Sequence, residues 1–243
     1  MKYYNPLSAK RYDFTLKQIG KFADGRKLNI LDIGCGMGNL SFPLAELGHN
    51  VVGLDEDEKL IKQDIFNNNY ENLIFIHGDA HSLGKLGNFD VVILCEVLEH
   101  VTSPSKVVAD VEKILKSDGI LITEMTNGNS LSEIVLGRIL SRNGKSNKAL
   151  KVVSKVYCFI TGTKMTHTHP FYLDDLHVNF FSLAKIKRLF SGFKIQTIEN
   201  SDLGMFIAGT GRMVWLKIQE CKLADHLPHS MVGGWMMVLK KNE

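Results

Sequence analysis

The residues able to do chemistry in this chain fall into two groups. The first is Asp32-Ile33-Gly34-Cys35-Gly36-Met37-Gly38, followed at a distance by Asp55 and Glu56. Alternating glycines let a backbone turn tightly and approach a ligand, and the free N–H groups at a following helix start attract a carboxylate or another anion. The second is Glu96-Val97-Leu98-Glu99-His100, two carboxylates and an imidazole. Such groups move protons or hold a hard or borderline ion. On a helical turn, positions i, i+3 and i+4 share a face, so Glu96, Glu99 and His100 are expected to converge.

The spacing of the first group narrows the ligand. A dinucleotide fingerprint has its third glycine three places after the second. Here that place is Asn39, and the third glycine comes one place early, at Gly38. Asp32, just ahead of the turn, would sit poorly beside a pyrophosphate and well beside an ammonium. Both features count against a nicotinamide oxidoreductase. S-adenosylmethionine meets the demands: an adenosine without phosphates, joined through a sulfonium to an amino acid. Its carboxylate would meet the N–H groups of the turn, Asp32 would orient its amine, and Asp55 would accept from both ribose hydroxyls.

These residues need a scaffold, and the hydrophobic pattern describes one. Short apolar runs at 28–33, 51–54, 73–76, 89–95, 120–125, 193–198 and 235–239 read as strands. Helical spacing appears at 8–22, through Leu40, Leu44, Ala45 and Leu47 up to Gly48, and at 57–67, 104–116, 182–190 and 213–227. Strand and helix alternate, which implies parallel strands with right-handed crossovers: an α/β, doubly wound sheet. Glu96 then lies at the carboxyl end of its strand, where open sheets of this kind bind ligands.

Taken in register from 28 to 127, the pieces resemble the class I S-adenosylmethionine-dependent methyltransferases. The resemblance runs through Asp32 to Gly38, Asp55, His77-Gly78-Asp79-Ala80, Phe89-Asp90-Val91-Val92, Glu96 to Val101 and Gly119-Ile120-Leu121-Ile122. It implies a Rossmann-like, seven-stranded sheet whose last strand is antiparallel and hairpinned with the sixth. It also implies that Asp79 and Ala80 flank the adenine; the leading helix has two readings, a cover over the ligands through Tyr3, Tyr4, Arg11 and Tyr12, as is common in that family, or a helix packed on the sheet edge. Ubiquinone-pathway O-methyltransferases and small-RNA 2′-O-methyltransferases carry a similar Glu-x-x-Glu-His that holds a divalent ion. A second histidine from His167, His169 or His177 would complete such a site here. The same letters occur in metal-free methyltransferases, where the first acid lines the cofactor pocket, so the metal stays open.

The expected reaction is methyl transfer to a hydroxyl of a small, lipid-linked or phosphorylated acceptor, with Glu96, His100 and His169 on the catalytic side. The alternatives are a non-catalytic S-adenosylmethionine-binding or scaffolding protein on the same fold, and an RNA 2′-O-methyltransferase. Between Gly128 and Pro170 stand seven Lys or Arg and one acid, Glu133. This basic insert has three readings: a solvated cap, a seat for a phosphorylated acceptor, or a peripheral membrane contact. No stacking platform accompanies it, which counts against nucleic acid.

With 243 residues, the chain is long enough for one methyltransferase domain, divided as 1–27 cap, 28–127 cofactor core, 128–180 insert and 181–243 C-terminal core. A net charge of +3 is too small to imply a polyanionic partner. Cys35, Cys95, Cys158 and Cys221 are dispersed without zinc spacing, and no signal-like or membrane-length run is visible, so a cytoplasmic setting is expected. The acceptor and the oligomeric state are left open.

Overall fold

The computed structural model describes residues 6–130, 177–203 and 213–242. Seven strands form one sheet: β1 (Asn29–Ile33), β2 (Asn50–Asp55), β3 (Leu73–His77), β4 (Phe89–Cys95), β5 (Leu115–Thr126), β6 (Phe193–Asn200) and β7 (Gly234–Lys241). Their spatial order is β3-β2-β1-β4-β5-β7-β6. The first five pair in parallel, and β7 runs antiparallel to both β5 and β6. The fold is therefore the mostly parallel, doubly wound sheet with an antiparallel last strand. Strand order reverses between β1 and β4, the switch point that opens a crevice at the carboxyl ends.

Side chains alternate across the sheet as its period of two requires. Ile30, Val91, Ile93 and Ile122 face one layer with Phe14 and Ile19 of α1 (Pro6–Ala23) and Leu44 of α2 (Ser41–Glu46). Leu31, Val92, Leu94 and Leu121 face the other, with Val107, Val111 and Ile114 of α4 (Pro104–Ile114) and Ile186 of α5 (Leu183–Leu189). Between them in sequence lies α3 (Glu58–Asn67), capped by Asp57, whose side chain accepts from Lys59 N at 2.8 Å and Leu60 N at 3.3 Å. The helix α6 (Met213–Ala224) lies in the connection from β6 to β7.

Three expectations need correction. The helix after the glycine turn spans only Ser41–Glu46, and Leu47 is 64% exposed, because the chain turns off at Gly48, whose φ is +91°. The helix predicted to reach residue 116 stops at Ile114. The next strand then begins at once, absorbing 117–119 through a register shift opposite Phe89 and Val91. The third correction, the turn at Glu96, belongs to the site below.

The chain re-enters the core through a clamped segment. Val178 N and Asn179 N donate to Glu99 O at 2.9 and 3.0 Å, and Asn179 Nδ2 donates to Leu98 O and Val101 O at 2.9 and 2.6 Å. Next to it, Gly128 N donates to Phe181 O at 2.7 Å. Most of the basic insert, with His167 and His169, lies outside the described residues, as do Tyr3, Tyr4 and residues 204–212. No helix among the described residues is long and apolar enough to cross a membrane.

Candidate active site

The glycine turn is tied to the end of β2: Gly34 N and Cys35 N both donate to Leu54 O, at 2.7 and 3.1 Å. Gly34 has φ +72°, and a Cβ there would stand 2.5 Å from Val97 Cγ2, so only glycine fits. Gly38, at φ +66°, lets the rings of Phe42 and Phe75 close on the backbone, within 2.7 and 3.0 Å of where a Cβ would be. Asp55 anchors the turn from the other strand. Its Oδ2 accepts from Gly36 N at 2.8 Å and its Oδ1 from Asp57 N at 2.9 Å. Each oxygen keeps further acceptor capacity for a diol.

Above the turn, outside the carboxyl ends of β1, β2 and β4, lies a cavity of about 400 Å³, a size typical of small-molecule sites. Of the residues singled out from sequence, Gly34, Asp55, Glu56, Asp79, Ala80, Glu96 and His100 line it together. Asp32, Cys35, Gly36 and Gly38 stand behind that wall and shape it. Asp32 is buried beneath the turn, accepts from Ser41 Oγ at 2.6 Å, and is pushed up to about 7 by burial against the opposing Ser41 bond. Burial likewise pushes the Cys35 thiol far above its ordinary range.

The second group is arranged differently from expectation. Glu96 has φ +56°, a left-handed backbone that a side-chain-bearing residue adopts only under constraint, and residues 98–100 form a turn rather than a helix. The three residues therefore do not lie along one helical face, although Glu96 and Glu99 both accept from Thr126. Glu96 is half-buried at the cavity, where Thr126 Oγ1 donates to its Oε1 at 3.4 Å, and His100 is exposed at its mouth. Glu99 is only 1% exposed, and its Oε1 accepts from Thr126 N at 2.7 Å. Its Oε2 is enclosed without a hydrogen-bond partner among the described residues. Among those residues, no group of three or more His, Cys, Asp or Glu is placed to hold a metal ion.

Sequence reasoning missed how far this acidic edge extends. Glu124 of β5 is buried and ion-paired with Arg11 of α1. Burial works against the charge on Arg11, but Glu124 and Glu96 beside it raise its pKa above the ordinary value. Of the three histidines expected to join the second group, His177 is the one among the described residues, and it meets His100. The Asn179 clamp brings His177 edge-on to His100, with centroids 5.1 Å apart and planes at 72°. The Arg11–Glu124 pair has no local signal, since its partners are distant in the chain.

Burial raises Glu99 and Glu124 from the ordinary 4.5 to about 8. A carboxyl raised on folding contributes stability that is fully present below its unfolded value and is lost as pH climbs through the folded one. Asp32, raised to about 7, acts in the same direction, and His49, lowered by burial, acts against them. The thermal midpoint is therefore expected to fall between pH 5 and 8. Glu99→Gln should flatten that slope, by roughly 1.4 kcal/mol per pH unit where its full proton is at stake. An equal slope in the variant would show that Glu99 is ionised as in the unfolded chain.

The comparisons with known proteins agree with this arrangement. A ubiquinone biosynthesis O-methyltransferase of Ruegeria sp. (strain TM1040) is 36% identical over 135 residues, covering 54% of this chain and 53% of that protein. The chain thus spans about half the length of the curated relatives it matches at this identity. Among solved structures, the magnesium protoporphyrin IX methyltransferase of Synechocystis PCC 6803, with bound SAH, superposes with a TM-score of 0.57 at 18% identity, over 97% of this chain and 84% of that one. A S-adenosylmethionine-dependent methyltransferase of Clostridium acetobutylicum ATCC 824 superposes with a TM-score of 0.62 at 13% identity, over 100% and 93%. At those identities the likeness is one of fold. The model of a methyltransferase-domain family matches residues 24–173, more than half of the length, and the chain belongs to that family.

Proposed function

We propose that this chain binds S-adenosylmethionine in the cavity above the glycine turn and transfers its methyl group to a hydroxyl of a small, lipid-linked or phosphorylated acceptor. The observation that carries the reading is Gly34: its left-handed backbone and missing Cβ hold the cavity floor open beside Val97. Gly36 and Gly38 shape the same turn, whose N–H groups suit a carboxylate. Asp55 and Glu56 are assigned to the ribose and Asp79 and Ala80 to the adenine, a reading supported by the lining of one cavity by all four. Asp32, buried under the turn and bonded to Ser41, is assigned to orient the amine of the amino acid end.

When bound, S-adenosylmethionine supplies a methyl carbon already activated by its sulfonium. The protein's part is orientation, worth roughly 7–11 kcal/mol, and removal of the acceptor's proton. Glu96 and His100 are assigned to taking that proton, supported by their place in the cavity lining. His169, from the basic insert, is a further candidate for the same duty. A cytoplasmic setting belongs to this proposal, supported among the described residues by the reduced thiols Cys35 and Cys95.

Calorimetry with S-adenosylhomocysteine is expected to show one site per chain. The absence of both heat and thermal shift would overturn the reading. Labelled-methyl transfer across hydroxylated acceptors separates an enzyme from a scaffold. With an acceptor in hand, His100→Ala should lower kcat by about 100-fold while leaving S-adenosylhomocysteine affinity unchanged. An unaltered kcat would remove His100 from the chemistry.

A further inference from the structure

Asp79 is a weak reader of a ligand if taken alone, because its side chain is 60% exposed and an exposed carboxylate is free to turn. The structure takes that freedom away. Asp79 Oδ1 accepts from His81 N at 2.8 Å and lies 2.7 Å from His81 Nδ1. Those donors hold the carboxyl below its ordinary range, so it is ionised and can only accept, and the shared proton sits on Nδ1. His81 is fixed in its turn. Its carbonyl accepts from Lys106 Nζ, and Lys106 is paired with Asp110 at 3.2 Å. Its other ring nitrogen, Nε2, is enclosed without a hydrogen-bond partner, so Asp79 is the ring's polar anchor among the described residues. The histidine lines the same cavity as Asp79 and Ala80.

We propose that His81 is a positioning residue for base recognition: by occupying Oδ1 it leaves Asp79 Oδ2 as the oxygen offered to the ligand, which makes the site selective for a 6-amino purine over a 6-oxo purine. The inference rests on the S-adenosylmethionine reading and deepens it. A fixed acceptor rewards an exocyclic N–H donor and repels a carbonyl oxygen at the same place, so discrimination depends on how firmly the acceptor is held. Nothing in the spacing of His77 to Ala80 signals this; the cue is an acid followed two places later by a donor that folds back on it.

The test is calorimetry on the full chain with S-adenosylhomocysteine and with S-inosylhomocysteine, its 6-oxo counterpart. The native chain should prefer the former by about 100-fold. His81→Ala should cut that ratio at least roughly tenfold while both ligands still bind through ribose and turn, and His81→Asn, which keeps a donor, should restore most of it. A merely structural role would weaken both ligands alike, and an unchanged ratio in His81→Ala overturns the inference while the cofactor reading stands. Should His81→Ala not fold, His81→Phe keeps the ring without the donor, and an unchanged ratio there overturns it equally. If the native chain binds neither ligand, the cofactor reading and this inference fall together.

Discussion

Gly34→Ala is expected to lower the affinity for S-adenosylhomocysteine by at least about 100-fold, in a protein that remains folded. Two effects add. A residue with a side chain held at φ +72° carries a conformational penalty of about 1–3 kcal/mol. The new Cβ would also stand 2.5 Å from Val97 Cγ2, closer than carbon atoms approach without something moving. What moves is either the floor of the cavity or the wall that Val97 contributes to it. The double change Gly34→Ala with Val97→Ala removes the overlap but not the backbone penalty, so affinity should recover only in part. Gly20→Ala in α1, where a Cβ meets nothing within 4 Å, is the control and should bind as the native chain does. Binding within about threefold of native in Gly34→Ala would show that the turn is not the ligand's seat.

Arg11→Met is expected to destabilise the fold by about 3–5 kcal/mol near pH 8, and by much less near pH 5. Its partner Glu124 is buried at the mouth of β5, beside Glu96 and Glu99. With Arg11 present, the pair's attraction offsets part of the desolvation of the carboxylate. Without it, Glu124 must take up a proton or stand charged in a poorly solvated place. Protonation is easy at pH 5 and increasingly costly as pH rises above it, so the destabilisation should grow in that direction. Glu124→Gln in the Arg11→Met background has no charge to strand, and urea denaturation should show most of the loss at pH 8 recovered. A loss independent of pH, or no recovery in the double variant, would mean that Arg11 acts through packing alone.

Where local pattern governs, the chain could be read in advance. The run at 89–95 is bounded by polar residues and appears as Phe89–Cys95, and Ser182 and Asp57 cap helices as their types suggest. Of the seven cavity-lining residues found from sequence, Gly34, Asp55, Glu56 and Glu96 sit at or just past the ends of such predictable strands. What escaped notice depends on something else. Glu96 takes a left-handed backbone, which no apolar period encodes, and that single residue breaks the helical register assumed for Glu99 and His100. The Arg11–Glu124 pair and the Asn179 clamp join residues far apart in the chain, so each partner looks ordinary in its own neighbourhood. The start of β5 was hidden because Ser117-Asp118-Gly119 has the composition of a turn, yet the register shift against β4 accommodates it as strand.

The clamp at residues 177–181 has a consequence for how such a chain can diversify. Its anchors fall on backbone oxygens of Leu98, Glu99 and Val101, and the neighbouring bridge joins Asn127 to Phe181, so departure and return points of the intervening stretch are neighbours. Main-chain carbonyls are the same whatever side chains surround them, and the entropy of closing a longer or shorter excursion between fixed ends grows only slowly with its length. The length of the connection between residues 130 and 177 can thus change without asking the sheet or the glycine turn to change with it.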